Sequence, residues 1–307
     1  MSSRSLWIFS LLLLFTWCIG CKQKSATLAT DTYDSGVIHI SCDESFKPVI
    51  DAQVQVYESS FPKVKIIVHY KPEADCLRDM AVDSIRMVIA TRPYTRNEEI
   101  LMSDSLKVNP SWNIVAYDAI AVIVNPAAKD SMFSMEEIRN LLTGNIKKRL
   151  IPVMDGVKAT STVRFLLDSV LQNGESLGSN VLAADSSKGV IDYVARTPEA
   201  VGFIGVSWVA NTEDTSQLGF LKKIKVARLE STDSTNGYVP PVQLFIYTRG
   251  YPMIRSLVYV LKEKHYGVAH GFADFLSKDR GQLIFRRSYI FPALRPFYNR
   301  NAELQED

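Results

Sequence analysis

Cysteine is scarce in this chain, four residues in 307, too few for a disulfide framework to hold a body of this size. An excess of charge of one sign is also lacking. The 35 Lys and Arg face 33 Asp and Glu, a formal +2, which gives no footprint for nucleic acid or for an anionic membrane. Long apolar runs are missing except for one at the very start, so nothing points to a membrane-embedded body. Catalytic signatures are absent too: the chain has no GxSxG elbow, HExxH pair, Walker A loop or GxGxxG. Its four histidines, His39, His69, His265 and His270, show no paired metal-ligand spacing. No nucleophile stands beside a base, so the sequence reads as a non-enzyme that needs no cofactor and no metal.

What remains is an ordinary globular composition, 47% apolar and 22% charged. The length suggests about two domains. The one apolar run, Leu6 to Ile19, follows Arg4 and carries no charge. It is shorter than the roughly 20 residues that span a bilayer and reads as a secretory signal. Gly20-Cys21 at its end resembles a bacterial lipobox, with Cys18 where leucine is commonest. The resemblance implies a signal peptide over 1–20 and a mature chain lipidated at Cys21, anchored to a membrane on the periplasmic side of the cell envelope. Loss of 1–20 removes Arg4 and no acid, so the mature chain carries +1. Export permits a disulfide between Cys42 and Cys76 without requiring one.

Residues 21–36 are polar and aperiodic and predict a flexible tether. The body then alternates strand and helix. Val37 to Ile40 predicts a strand, Phe46 to Tyr57 a helix of 3.6-residue period, Val64 to Tyr70 a second strand. A short helix near Asp75–Val82 and a strand at Ile85–Ala90 follow. Nearly continuous apolar strands alternating with helices indicate a mostly parallel sheet covered on both faces. Ile114 to Asn125 is longer than most strands and suits a passage from one domain to another. Ser134 and Glu137 form a capping box before a helix that stops at Gly144. Ser161–Leu171 and Ser187–Arg196 read as helices, and Val201–Val206 as an apolar strand. Val242–Thr248 and Leu257–Leu261 read as strands, and Val268–Phe285 as one helix.

In such a sheet, helix N-termini gather at the carboxyl ends of the strands, where unpaired N–H groups attract anions. Four junctions qualify: Asp43-Glu44-Ser45-Phe46, Glu73-Ala74-Asp75-Cys76, Ala90-Thr91-Arg92 and Lys158-Ala159-Thr160-Ser161-Thr162. Plain N-capping by serine or threonine explains the last junction equally well.

Three segments carry a family resemblance. Ser134 to Lys147 (SMEEIRNLLTGNIK), Arg196 to Phe203 (RTPEAVGF) and Phe272 to Gln282 (FADFLSKDRGQ) with Pro292 beyond resemble the phosphate-binding component of bacterial phosphate ABC transporters. That family lies within the two-lobed periplasmic binding protein superfamily. The resemblance covers about Val37 to Pro296. It implies an α/β fold of two lobes joined by two hinge strands, with lobe one at 37–116 plus 242–300 and lobe two at 117–241. The crossings would be Ile114–Asn125 and the stretch near Pro240-Pro241.

The resemblance further implies a monomer that captures a small oxyanion, phosphate first and sulfate or molybdate as alternatives, and delivers it to an ABC transporter permease. A degenerate member serving as a sensory or structural interaction lipoprotein is the other reading. The ligand residues implied are Ser45 and Phe46, Thr91, and Thr160 and Ser161 as donors. Arg92 and Arg164 would be charge partners, and Asp75 a proton acceptor. The sequence departs from the family where a glycine-serine-rich loop gives way to Glu73-Ala74-Asp75-Cys76, and where Val153 stands near the usual arginine. Glycines let backbone N–H groups close on an oxyanion, whereas Asp43, Glu44, Glu73 and Asp75 would repel one unless they accept its protons.

Overall fold

The computed structural model describes residues 31–106, 109–156, 159–171, 174–263 and 265–294. The signal segment, Cys21, Lys158 and the chain beyond residue 294 lie outside them. The first strand, β1 (Ser35–Asp43), leads through one 3-10 turn, Glu44–Phe46, into helix α1 (Lys47–Ser60). Strand β2 (Lys63–Lys71), helix α2 (Glu73–Arg78), strand β3 (Ile85–Ala90) and helix α3 (Arg96–Leu101) follow. Strand β4 (Ser111–Val124) is 14 residues long. Beyond it come α4 (Met135–Thr143), β5 (Ile151–Met154), α5 (Ser161–Phe165), β6 (Leu182–Ala183), α6 (Ser187–Arg196) and β7 (Ala200–Gly205). The last part holds α7 (Thr215–Leu221), β8 (Lys225–Val226), α8 (Gln243–Tyr247), β9 (Ile254–Leu261), α9 (Val268–Ser277), α10 (Asp279–Arg287) and β10 (Phe291–Pro292).

The strands run β2-β1-β3-β9-β4-β7-β5-β6, with β8 and β10 added on β4. Pairing is parallel within β2-β1-β3 and within β7-β5-β6, and antiparallel around β9 and β4. β4 serves both groups: Ser111 to Ala119 pairs with β9, and Ile120 to Val124 pairs with β7. That double duty explains its length and its nearly unbroken burial from Val115 on, since both faces are covered along most of its course. One apolar cluster gathers Phe46, Tyr57, Phe272 and Phe285 beneath the first strand group. A second gathers Phe133, Leu141, Val190 and Phe203 around the other. Each such side chain, fully buried, contributes about 1.5–3 kcal/mol against the entropy of ordering it.

Local signals are met where their partners are local. Ser134 and Glu137 make the reciprocal capping box, and Gly144 closes α4 in the left-handed region at φ 83°. Other expectations fail for long-range reasons. Val242–Thr248 is not a strand: Gln243–Tyr247 is helical, with Ile246 N–H donating to Val242 O at 3.0 Å. Pro240 and Pro241 precede it without N–H groups, which starves any strand ladder there. Ile246, Tyr251 and Met253 pack in the second cluster, so the chain rejoins the first strand group at Ile254, not near Pro240-Pro241.

The helix expected over Val268–Phe285 breaks at Lys278, which is extended (φ −100°, ψ 176°). The two halves fold against each other at Gly281, where a Cβ would meet Phe275 O at 2.2 Å. Finally, residues 31–36 are docked, not a loose end of the tether. Asp31 is buried, accepts Val268 N–H at 2.9 Å and pairs with His265 at 3.0 Å. Cys42 and Cys76 are both buried free thiols.

Candidate functional site

The register of β9 on β4 sets Arg255 directly opposite Asp118. Both side chains are almost wholly enclosed, and Arg255 Nε and Nη2 donate to Asp118 Oδ2 at 2.9 and 2.7 Å. Such an ion pair is stable in the interior only when its remaining donors are satisfied. Two of the three that remain are: Arg255 Nη1 donates to Ser161 Oγ at 2.8 Å, and Nη2 to Ser45 Oγ at 3.0 Å, while Asp118 Oδ1 has no partner among the described residues. The two serine oxygens are 3.4 Å apart, and the Phe46 ring lies 5.1 Å from the guanidinium carbon.

Ser45 is held in place by the turn after β1, where its N–H donates to Asp43 Oδ1 at 3.0 Å and its carbonyl accepts Ser207 Oγ–H at 2.7 Å. Gly205 at the end of β7 makes room for this arrangement. A Cβ there would meet Arg255 Nη2 at 2.7 Å and Ser45 O at 2.8 Å.

Two further carboxyls enclose the guanidinium. Asp43 ends β1 and Asp155 follows β5, and both are buried. Asp43 Oδ2 and Asp155 Oδ1 have no hydrogen-bond partner among the described residues. Burial pushes the Asp43 carboxyl up to about 6, with Arg255 pulling it back. Burial and the Asp43 charge push Asp155 up to about 7. Burial works against the Arg255 charge, but Asp118 and Asp43 more than offset it and the guanidinium titrates above its ordinary value. The cluster therefore presents one permanent cation, two hydroxyls and two carboxyls poised to hold or share protons.

A second group lies beside it. Thr160 caps α5 through Val163 N–H at 3.2 Å, as the capping explanation requires. Arg164, in the same helix, donates from Nε to Glu73 Oε2 at 2.6 Å and from Nη2 to Thr91 Oγ at 2.5 Å. Thr160, Arg164, Glu73 and Arg92 border a cavity of about 330 Å³. Arg92 is engaged by Glu98 through two bonds, 2.7 and 3.0 Å. Asp75 pairs with Arg78 on its own helix and joins neither group.

The structure thus assembles Ser45, Phe46 and Ser161 around one cation, and Thr91 and Arg164 around Glu73, with Thr160 on the rim of the adjoining cavity. Sequence reading missed Arg255, Asp118, Ser207 and Gly205. One signal existed: Asp118 and Arg255 are lone charges in otherwise apolar strands, IVAYDAIAVIV and IRSLVYVL. A charge in such a run needs a buried partner.

A mixed sheet whose two strand groups share β4, with polar side chains converging at the strand ends, is the architecture of a two-lobed solute-binding protein. Residues 25–280 match the family model described as a PBP superfamily domain, and the chain belongs to that family. It is 19% identical over 261 residues to the phosphate-binding protein PstS of Borreliella burgdorferi, covering 80% of this chain and 86% of that protein. A phosphate ABC transporter substrate-binding protein of Clostridium perfringens, solved with bound phosphate, superposes with a TM-score of 0.70 at 19% identity, covering 84% of this chain and all of that one. An ABC-type phosphate transport receptor of Vibrio cholerae gives 0.60 at 16% identity, covering 83% and 99%. These relatives are binding proteins of transporters, not enzymes.

Proposed function

We propose that the chain captures a small oxyanion, phosphate before sulfate or molybdate, between two lobes and delivers it to an ABC transporter permease. The lobes would be the β2-β1-β3-β9 group and the β7-β5-β6 group. β4 and the stretch around Met253–Ile254 would be the hinge crossings. The observation that carries this reading is the Arg255 cluster. A guanidinium fork and two hydroxyls, on segments 94 and 210 residues apart in sequence, converge where buried carboxyl oxygens lack partners.

Hydrogen phosphate fits that pattern chemically. Its bare oxygens accept from Arg255, Ser45 and Ser161, with Thr91 and Arg164 beside them as further donors, and its P–O–H group donates to Asp43 or Asp155. Sulfate has no proton to donate at neutral pH and would leave those oxygens unpaired, which costs about 1–3 kcal/mol each. The relatives named above support phosphate as the ligand. Lipidation of Cys21 would tether the protein at the membrane that carries the permease; no helix among the described residues is long and apolar enough to cross one.

Thermal unfolding tests the reading. A ligand at 100 times its Kd stabilises the folded state by about 2.7 kcal/mol. Phosphate should raise Tm, sulfate should raise it less, and Arg255→Gln should respond to neither. An equal response of the Arg255→Gln protein to phosphate would place the site elsewhere.

A further inference from the structure

Glu73 sits at the first position of α2 with its carboxylate almost fully enclosed. Its Oε1 accepts Thr91 N–H at 2.8 Å and Thr91 Oγ–H at 2.5 Å, and its Oε2 accepts Arg164 Nε–H at 2.6 Å. A backbone amide at a strand's carboxyl end, a hydroxyl and a guanidinium are the donors that recognise an oxyanion. Here they converge on the protein's own carboxylate. Burial disfavours that charge, yet the bonds from Arg164 and Thr91 overcome it and hold the Glu73 carboxyl below its ordinary range.

The contact also bridges the two strand groups. Thr91 follows β3 and Arg164 belongs to α5, and the neighbouring Ala74 N–H donates to Ala159 O at 3.0 Å. Glu44 repeats the pattern nearby: its carboxylate accepts Ser187 Oγ–H at 2.7 Å and Ser187 N–H at 3.3 Å at the start of α6.

We propose that Glu73 is a tethered internal anion, which fills the Thr91–Arg164 donor set and latches the two lobes together when no solute is bound. A solute anion must then compete with it, so Glu73 sets both the affinity threshold and the resting state of the cleft. The inference rests on the anion-capture reading above, but its central consequence, closure without ligand, can be measured separately.

Amide hydrogen exchange on purified protein without phosphate reports the latch at Ala74 and Thr91. Glu73→Gln keeps the side chain's shape and removes its charge, and Arg164→Met removes the partner from the other side. Each should accelerate exchange at Ala74 by at least tenfold while the β1 and β4 amides stay protected, which shows that the fold is intact. Phosphate titrated calorimetrically should bind Glu73→Gln at least tenfold more tightly than wild type, and Arg164→Met no more tightly. Unchanged exchange at Ala74 in both variants overturns the latch, even where wild type binds phosphate. Accelerated exchange with no phosphate heat in any of the proteins upholds the latch and rejects the phosphate reading instead.

Discussion

Replacing Asp155 by asparagine should stabilise the protein, and more so as pH rises. The folded chain raises this carboxyl to about 7, against an ordinary 3.8. Burial is the main cause, and the Asp43 charge adds to it. The folded state thus binds this proton more tightly than the unfolded state does. Its contribution to stability is present in full below pH 4 and is lost as pH climbs through 7. Three pK units at about 1.4 kcal/mol each amount to roughly 4 kcal/mol by alkaline pH. About 3 kcal/mol of that falls between pH 5 and pH 8.

Asparagine preserves the shape, the Oδ position that accepts Thr162 Oγ–H at 3.3 Å and the packing, but it does not titrate. For a body of this size one kcal/mol moves Tm by about 2–4 °C. Circular dichroism melts at pH 5 and pH 8 should therefore show wild type losing about 6–12 °C more than Asp155→Asn across that interval. Parallel pH profiles for the two proteins would refute the assignment of a buried, proton-holding Asp155.

Removing one side of the Arg255–Asp118 pair by Arg255→Ala should cost about 3–5 kcal/mol, because a buried carboxylate is left unpaired; a urea midpoint within error of wild type would contradict this. Gly205→Ala should abolish phosphate binding and lower Tm, since its Cβ meets the Ser45 carbonyl at 2.8 Å and backbone cannot easily retreat. Ser45→Ala and Ser161→Ala should each weaken phosphate by about tenfold, near 1.4 kcal/mol, and calorimetry of the two variants measures it.

The fold was legible where interactions are local or periodic. Helix α4 announced both its ends through Ser134, Glu137 and Gly144, and the parallel strand groups showed as unbroken apolar runs. Failures occurred where distant packing overrides a local pattern. Gln243–Tyr247 has the apolar content of a strand, yet it coils so that Ile246 enters the second cluster while Leu244 and Tyr247 stay exposed.

The site divides in the same way. Ser45 and Ser161 were visible as hydroxyls at helix starts, a local pattern, whereas Thr91, read the same way, lies in the bend after β3, ahead of the α3 cap Thr95. Arg255 was not visible, because its relation to Ser45 depends on β9 returning beside β4 from far along the chain. Glu73 was visible as a charge that would repel an anion. Its actual partners, Thr91 and Arg164, lie 18 and 91 residues away in sequence, and only the folded chain brings them to it.

Isothermal calorimetry of the purified protein at pH 7 tests capture of an oxyanion at Arg255. Phosphate at up to millimolar concentration should bind one per chain with a saturable heat that Arg255→Gln abolishes, and sulfate should bind more weakly. No heat with phosphate, sulfate or molybdate would rule out oxyanion capture at Arg255.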